Sequence, residues 1–143
     1  MYQIVEYKKE EFSITTDFQK IDFEAVYSLL GKSYWANNRS REVINKSLKN
    51  SLCFSLFHRD KQIGLARVIT DYATFAYLCD IIIEEEYRMQ GLGLWFLECV
   101  FKHPELQNLR RWTLATRDAH EFYKKMGFKN LSRPESFMEV FTG

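Results

Sequence analysis

The first half of the chain shows two different periods of apolar and polar residues. Apolar and polar positions alternate from Glu11 to Thr15, which predicts a short strand. After Asp17, a common helix-capping residue, apolar residues recur at helical spacing until Gly31, and glycine is a frequent helix stop. The apolar face of this predicted helix consists of Phe23, Val26, Tyr27 and Leu30. Ser40 predicts the start of a second helix, whose inner face consists of Val43, Ile44, Ser47 and Leu48.

The middle of the chain has the pattern of a meander of strands. Segments 52–58 and 62–70 are predicted strands joined by a short polar connection, and residues 71–74 form a second turn. Segment 75–84 is the most strand-like stretch and includes three consecutive isoleucines. Because this run is apolar on both faces, it predicts a central strand that is covered on both sides.

The last third of the chain alternates again between the two periods. Residues 93–101 and 119–126 are predicted helices, and residues 112–116 form a predicted strand between them. Segments 128–131 and 137–140 resemble a closing pair of strands. The predicted order is therefore β-α-α-β-β-β-α-β-α-β-β, a mixed α/β fold in which one crossover helix joins two parallel strands.

Length and composition limit the classes of protein. The chain has 143 residues without an evident linker or repeat, which predicts a single domain over residues 1–143. A net charge of +1 provides no general attraction to nucleic acid or to an anionic membrane. Three cysteines without a CxxC pair predict neither a disulfide framework nor a metal site. Since signal-peptide features and a long apolar stretch are also missing from the sequence, we expect a cytoplasmic protein.

The turn after the isoleucine-rich strand has the chemistry of an anion site. Gly91 and Gly93 allow the backbone to bend sharply at the start of a predicted helix, where unpaired N–H groups point outward. Arg88, just before them, can add charge and bidentate hydrogen bonds to phosphate oxygens. The spacing matches neither a dinucleotide-binding GxGxxG nor a Walker loop. The alternative interpretation of the glycine spacing is an ordinary turn, in which the glycines serve only the backbone geometry.

This turn resembles the acetyl-CoA signature of the GNAT superfamily of N-acetyltransferases. The family pattern is Gln or Arg, two residues, Gly, one residue, and Gly or Ala, which corresponds to Arg88-x-x-Gly91-x-Gly93. Glu85 stands where many members carry proline, and Met89 where glycine is frequent. The resemblance implies a mixed sheet of about six to seven strands flanked by about four helices, with acetyl-CoA as co-substrate. The implied cofactor-binding residues here are Ile81, Ile82, Ile83, Arg88, Met89, Gln90, Gly91, Leu92, Gly93 and Leu94.

A second stretch, Ala119 to Phe128, resembles the later GNAT motif in which a helix carrying A-x-x-[FL]-Y ends in Gly-Phe. The resemblance implies that Phe122 and Tyr123 lie near the cofactor, with Tyr123 as the general acid that protonates the departing thiolate. Asp118 stands where the family often has asparagine, which implies a third cofactor-binding residue, and it can also cap the helix. The alternative for Tyr123 is a packing role only.

Acetyl transfer to an amine also needs a group that removes the amine proton. Asp80 interrupts the apolar strand just before the three isoleucines, so it is either a tuned base or a structural partner of Arg67 or Arg111. His120, one turn before Tyr123, is a weaker candidate base. Backbone N–H groups near Ile82 and Ile83 are candidate donors to the oxyanion.

The acceptor pocket is predicted from the loop between the first two helices and from the central strands. Aromatic faces and a cation suit an amine or a carboxylate. The candidate acceptor-binding residues are Tyr34, Trp35, Arg39, Arg67, Asp71 and Tyr77. Any one of these residues, taken alone, more often has a structural role than a role in ligand binding.

The expected function is transfer of an acetyl group from acetyl-CoA to a primary amine of a small molecule or peptide, by direct attack in a ternary complex. An inactive module that binds acyl-CoA for regulation is the alternative. Nucleic-acid binding is disfavoured by the neutral charge. Relatives often dimerise through terminal strands, so the resemblance leaves a homodimer open.

Overall fold

A computed structural model describes residues 2–143 and contains one six-stranded sheet. The strands follow one another across the sheet in chain order. Neighbouring strands are antiparallel from β1 to β5, and β6 is parallel to β5. The strands are β1 (Glu6–Lys9), β2 (Phe12–Thr15), β3 (Leu52–His58), β4 (Lys61–Thr70), β5 (Phe75–Ile83) and β6 (Arg111–Thr113).

Four α-helices connect or flank these strands: α1 (Phe23–Gly31), α2 (Arg41–Lys49), α3 (Leu92–Lys102) and α4 (His120–Lys124). Asp22 caps α1 by accepting a hydrogen bond from the Ala25 amide, and Ser40 caps α2 in the same way. The expected start of α1 at Asp17 is wrong, because Asp17 caps a separate 3₁₀ turn, Phe18–Lys20. The predicted stop of α1 at Gly31 and the Ser40 cap of α2 agree with the structure.

Two apolar clusters, one on each face of the sheet, form the core. One contains Phe96, Leu97 and Val100 of α3, packed against residues such as Phe54. The other joins α1 and α2 to the opposite face of the sheet and contains Leu65. The strand buried along most of its length is β4, from Gln62 to Val68, whereas buried and half-buried residues alternate along most of β5. The prediction of a strand covered on both faces therefore fits β4 better than β5.

The two ends of the chain differ from the predicted order. The charged segment Glu6–Lys9 forms β1, which the apolar pattern did not predict. The predicted closing strands 128–131 and 137–140 are wrong, because neither segment is a strand and residues 129–143 are exposed. Pro134 lacks a backbone donor and begins a 3₁₀ turn between them. The order in the described chain is β-β-α-α-β-β-β-α-β-α.

Two irregularities in β5 open the sheet near its middle. Leu65 pairs with Ile82 and Arg67 with Cys79, so Asp80 and Ile81 together oppose one residue of β4. This β-bulge places Asp80 at a φ of 51°. The parallel ladder with β6 ends where Tyr77 meets Thr113, although β5 continues to Ile83. The two strands therefore part beyond Tyr77, and the opening between them is called the cleft below.

Candidate active site

The predicted anion site lies at the junction between β5 and α3. Helix α3 begins at Leu92, and its N-cap residue Gly91 has a φ of 77°, a left-handed conformation that favours glycine. No side chain caps this helix end, and its first turn contains no acidic residue. The first N–H groups of α3 therefore remain available for an anion. A Cβ atom built on Gly91 would meet no protein atom within 4 Å, so the space beside this residue is open.

Side chains around this turn hold it in place. Arg88 donates from Nε to the carbonyl oxygen of Ile83 at 2.9 Å, which folds its side chain back along the turn. Glu84 and Glu86 form ion pairs with lysines, at 2.6 Å to Lys32 and 3.4 Å to Lys61. These two carboxylates are therefore neutralised by cations of other segments, which leaves the turn suited to an anion.

A contact that the sequence did not indicate also anchors the turn. The Tyr87 hydroxyl lies 2.8 Å from Nδ1 of His58 at the end of β3. The other ring nitrogen of His58 lies 3.2 Å from a carboxylate oxygen of Glu11, and the His58 ring stacks on Phe12 at 4.8 Å. The turn at residues 88–93, the predicted anion-binding turn, is thus tied to the β2 and β3 ends of the sheet. No sequence signal links residues so distant along the chain.

Tyr123 lies on α4 beside a cavity of about 350 Å³. Its ring packs between Phe122 and Phe128, with centroids 5.1 and 5.9 Å away. Burial, followed by the nearby Tyr34, raises the pKa of Tyr123 to about 12. The phenol therefore stays protonated at neutral pH and can donate a proton. The cavity lining comes from β6 and the residues after it, from α4, and from residues 128–134.

The second signature also packs against the first. A Cβ atom built on Gly93 would lie 3.5 Å from the Phe122 ring. Because Gly93 is in the first turn of α3 and Phe122 is on α4, the two helices meet at the predicted anion-binding turn. The two stretches with family resemblance are therefore adjacent in space.

Asp80 is the centre of a buried polar group, called the Asp80 cluster, that also includes Arg39, Arg67 and Trp35. Its carboxylate accepts hydrogen bonds from Arg67 Nε at 2.6 Å, from an Arg39 terminal nitrogen at 2.9 Å and from Trp35 Nε1 at 2.7 Å. Burial raises the pKa of Asp80, but the charges and hydrogen bonds of the two arginines outweigh burial, and the pKa lies below its ordinary value. Asp80 is therefore ionised and fully engaged.

The loop between α1 and α2 spans the cleft. On the β5 side, Trp35 and Arg39 bind Asp80. On the β6 side, the Tyr34 hydroxyl accepts a hydrogen bond from the Arg117 amide at 3.1 Å. The Arg117 guanidinium lies 3.8 Å from the Tyr34 ring centroid, a cation–π contact. Three of the predicted acceptor residues are thus brought over the same opening, together with Arg117, which the sequence did not indicate.

Comparison with known proteins decides the family. The domain described as "Acetyltransferase (GNAT) domain" matches residues 49–130, more than half of the chain. This chain belongs to the GNAT acetyltransferase family. A solved structure of a predicted GNAT acetyltransferase from Xanthomonas campestris pv. campestris is 37% identical, with a TM-score of 0.88 over 92% of this chain and 93% of that chain.

More distant GNAT relatives agree with this placement. The predicted acetyltransferase FG08082 of Gibberella zeae is 29% identical over 84% of this chain and 80% of its own length. A GNAT acetyltransferase from Elizabethkingia anophelis, solved with acetyl-CoA bound, shares the fold with a TM-score of 0.65 and 18% identity over 94% of this chain and 90% of that chain. Family membership confirms the predicted GNAT fold, the acyltransferase class and acetyl-CoA as co-substrate. The general reaction is therefore acetyl-CoA-dependent acetyl transfer.

Other residues with predicted roles lie elsewhere or act differently in this GNAT domain. Asp71 accepts hydrogen bonds from Ala73, Thr74 and Phe75 within its own turn, and these bonds, led by the one from the Thr74 hydroxyl, hold its pKa well below the ordinary value. Its carboxylate is thus used locally, and it does not contact the Asp80 cluster. Tyr77 is half-buried on β5 at the point where β6 departs.

Three further expectations concern the surroundings of α4 and Asp80. Asp118 does not cap α4, since Ala119 occupies the N-cap position and the Asp118 side chain is 66% exposed. Of the two proposed partners of Asp80, Arg67 binds it, whereas Arg111 is exposed and lies over the Phe137 ring. His120 is exposed on α4 and lines the cavity beside Tyr123.

Two classes of site are not found in the part of the chain that the structure covers. Among residues 2–143, no group of three or more His, Cys, Asp or Glu side chains is arranged to hold a metal ion. None of the helices within the same range is long and apolar enough to cross a membrane.

Proposed function

We propose that this protein transfers the acetyl group of acetyl-CoA to a primary amine by direct attack within a ternary complex. The observation that supports this most is the convergence of three features on one cleft. The bulge at Asp80 and the departure of β6 open the sheet, and the predicted anion-binding turn lies at the end of β5. Phe122 of α4, the neighbour of Tyr123 in the chain, packs against Gly93 of that turn.

The co-substrate would lie along β5 and the start of α3. Residues 88–94 would hold the pyrophosphate through the free N–H groups of the helix end and through Arg88. Ile81, Ile82 and Ile83 would contact the pantetheine arm through the exposed edge that β6 leaves beyond Tyr77. Phe122 closes this path from the α4 side, next to Gly93. Asp118 would also contact the co-substrate, and its side chain is exposed.

The residues of the cleft have complementary roles in the transfer. The amine nitrogen attacks the thioester carbon, and backbone N–H groups near Ile82 and Ile83, in the part of β5 beyond the end of the β6 ladder, stabilise the oxyanion. Tyr123 then donates its proton to the leaving CoA thiolate and regains one from solvent. A water molecule in the cleft takes the proton of the amine.

Asp80 has a positioning role in this mechanism. A base must accept a proton near neutral pH, whereas two arginines keep the Asp80 carboxylate ionised and occupied. Of the two roles that the sequence left open, its contacts favour the structural one. Asp80 holds Arg39 and Trp35 in place, and through them the loop over the cleft.

Release of free CoA separates the enzyme from an inactive acyl-CoA-binding module. The protein is incubated with acetyl-CoA and a panel of primary amines, and the CoA thiol is measured. We expect release that depends on the amine and gives one acetylated product per thiol. Acetyl-CoA binding without amine-dependent release for any member of the panel would contradict the proposed transfer and favour the regulatory module.

A further inference from the structure

The acceptor side of the cleft carries a positive charge that no side chain of residues 2–143 neutralises. In the Asp80 cluster, the guanidinium groups of Arg39 and Arg67 share the single carboxylate of Asp80. Two cations and one anion leave one positive charge in excess. Because the Asp80 side chain is only 1% exposed and that of Arg67 only 9%, solvent screens this charge weakly.

Arg39 is the member of the cluster that is still able to bind a ligand. Arg67 uses Nε for Asp80 and a terminal nitrogen for the Ser51 hydroxyl. Arg39 uses one terminal nitrogen for both oxygens of Asp80, and its Nε and other terminal nitrogen have no partner among residues 2–143. Its side chain is 26% exposed. Asp80 thus fixes the Arg39 guanidinium and leaves two of its nitrogens free to donate.

The carboxylates around the cleft are already engaged. Glu84 binds Lys32, and Asp71 is held by the amides and hydroxyl of its own turn. Asp118 is exposed, with Arg117 3.9 Å away. Of these three carboxylates only that of Asp118 is exposed and weakly paired, so the cleft offers little negative charge to a polycationic acceptor such as a polyamine.

We propose that the acetyl acceptor is an amino acid, whose carboxylate binds Arg39 while its amine faces the bulge in β5. This inference rests on the proposed function and names the substrate class of the same cleft. The Arg39 guanidinium is bound to Asp80 at the bulge itself, so an amine close to the bound carboxylate is directed to the thioester. The partly exposed Trp35 and Tyr34 rings offer apolar surface to the side chain of the amino acid.

The transfer balances with acetyl-CoA and the amino acid as the only reactants. The new C–N bond forms as the C–S bond of the thioester breaks. The acceptor ammonium loses two protons to water, one before the attack and one from the tetrahedral intermediate. The CoA thiolate receives one proton from Tyr123, which regains it from solvent, so one proton is released overall. The products are an N-acetylated amino acid and free CoA. An N-acetylated amino acid has lost the positive charge of its amine, so binding of the product depends on the carboxylate alone.

Matched acceptors test the inference without changing the protein. Each set contains an amino acid, its carboxamide and the amine left after removal of the carboxyl group, and CoA release gives kcat/KM for each. We expect the amino acid to exceed both analogues by at least about tenfold, the usual effect of one hydrogen-bonded charged pair. Equal or faster turnover of the two analogues that lack the carboxylate would overturn the inference and leave the proposed function intact. No turnover with any acceptor would instead contradict the proposed function.

Substitution of Arg39 tests whether this residue causes the preference for an acceptor with a carboxylate. R39Q is expected to remove the advantage of the amino acid, while the acetyl-CoA-induced rise in melting temperature shows that the variant is folded and binds its co-substrate. The matched control is K32Q, which removes a cation of the same loop that is paired with Glu84 outside the Asp80 cluster. K32Q is expected to keep the preference. A preference that survives in folded R39Q would contradict the role of Arg39.

Discussion

Replacing Tyr123 with phenylalanine is expected to lower kcat by about 10²–10⁴-fold, the usual contribution of a general acid, with little change in the KM for acetyl-CoA. The ring would keep its packing between Phe122 and Phe128, so the variant should fold normally. In the proposed mechanism the lost hydroxyl protonates the thiolate, and its removal would affect only the step in which CoA departs. Steady-state kinetics with a good acceptor measure this effect.

The pH dependence of the wild-type enzyme provides a second readout for Tyr123. Because burial raises the pKa of Tyr123 to about 12, the phenol remains protonated well above neutral pH, and kcat should not fall on its account below about pH 10. Tyr72 on the β4–β5 turn is a matched control, because burial also raises its pKa to about 12. Y72F is expected to keep wild-type kcat. A Y123F variant with more than half of the wild-type kcat would contradict the role of Tyr123 as the acid.

Replacing Asp80 with asparagine is expected to lower the free energy of unfolding by about 3 kcal/mol. The change leaves the guanidinium groups of Arg39 and Arg67 without their shared anion in a buried site, and broken buried ion pairs typically cost about 3–5 kcal/mol. Asparagine tolerates the left-handed backbone at this position, where φ is 51°. The loss of stability can therefore be attributed to the lost negative charge of Asp80. Urea unfolding measures it.

The sign of the pH dependence follows from the lowered pKa of Asp80. The unfolded chain has the ordinary pKa of about 4, so the stabilisation by Asp80 is fully present above that pH and is lost as the pH falls through the lower folded pKa. D80N should therefore lose less stability than the wild type between pH 5 and about pH 2. The control D118N alters a carboxylate that is 66% exposed, and it should change stability by no more than about 0.5 kcal/mol. A D80N variant as stable as D118N would show that the cluster does not stabilise the fold.

The strands and helices with strong apolar periods could be predicted from the sequence, whereas the ends of the chain could not. Helix α2 and strands β3 and β4 follow their apolar patterns closely, because one face of α2 is buried and both strands are buried along most of their length. Strand β1 carries charged residues, and it is held by backbone pairing with β2, which leaves no periodic signal. Segment 137–140 has apolar residues suited to a strand, but Met138 and Val140 are almost fully exposed. Periodicity cannot tell whether a partner strand is present.

The same distinction applies to the candidate site. The turn at Arg88–Gly93 and the position of Tyr123 depend on local sequence, so their motifs could be read directly. The role of Asp80 depends on Trp35, Arg39 and Arg67, which come from distant parts of the chain, and the sequence left base and structural roles open. The bulge that opens the cleft has no composition signal, since it is a matter of register between β4 and β5.

Comparing substitutions at Gly91 and Gly127 separates the effect on acetyl-CoA binding from the effect of backbone strain. Gly91 has a φ of 77° and Gly127 a φ of 97°, and a Cβ atom on either would meet no protein atom within 4 Å. G91A and G127A should therefore each lose about 1 kcal/mol of stability from the left-handed backbone alone, or about 4 °C in melting temperature. Only G91A places a methyl group at the predicted anion-binding turn. The two variants should therefore differ in the rise in melting temperature that acetyl-CoA causes.

The rise in melting temperature caused by millimolar acetyl-CoA tests most directly whether this turn holds the co-substrate. A ligand present at about 100 times its Kd stabilises the native state by about 2.7 kcal/mol, which corresponds to a rise of roughly 8 °C. The wild type and G127A should show the full rise, and G91A should show little or none. No rise in the wild type, or an equal rise in G91A, would contradict acetyl-CoA binding at residues 88–93.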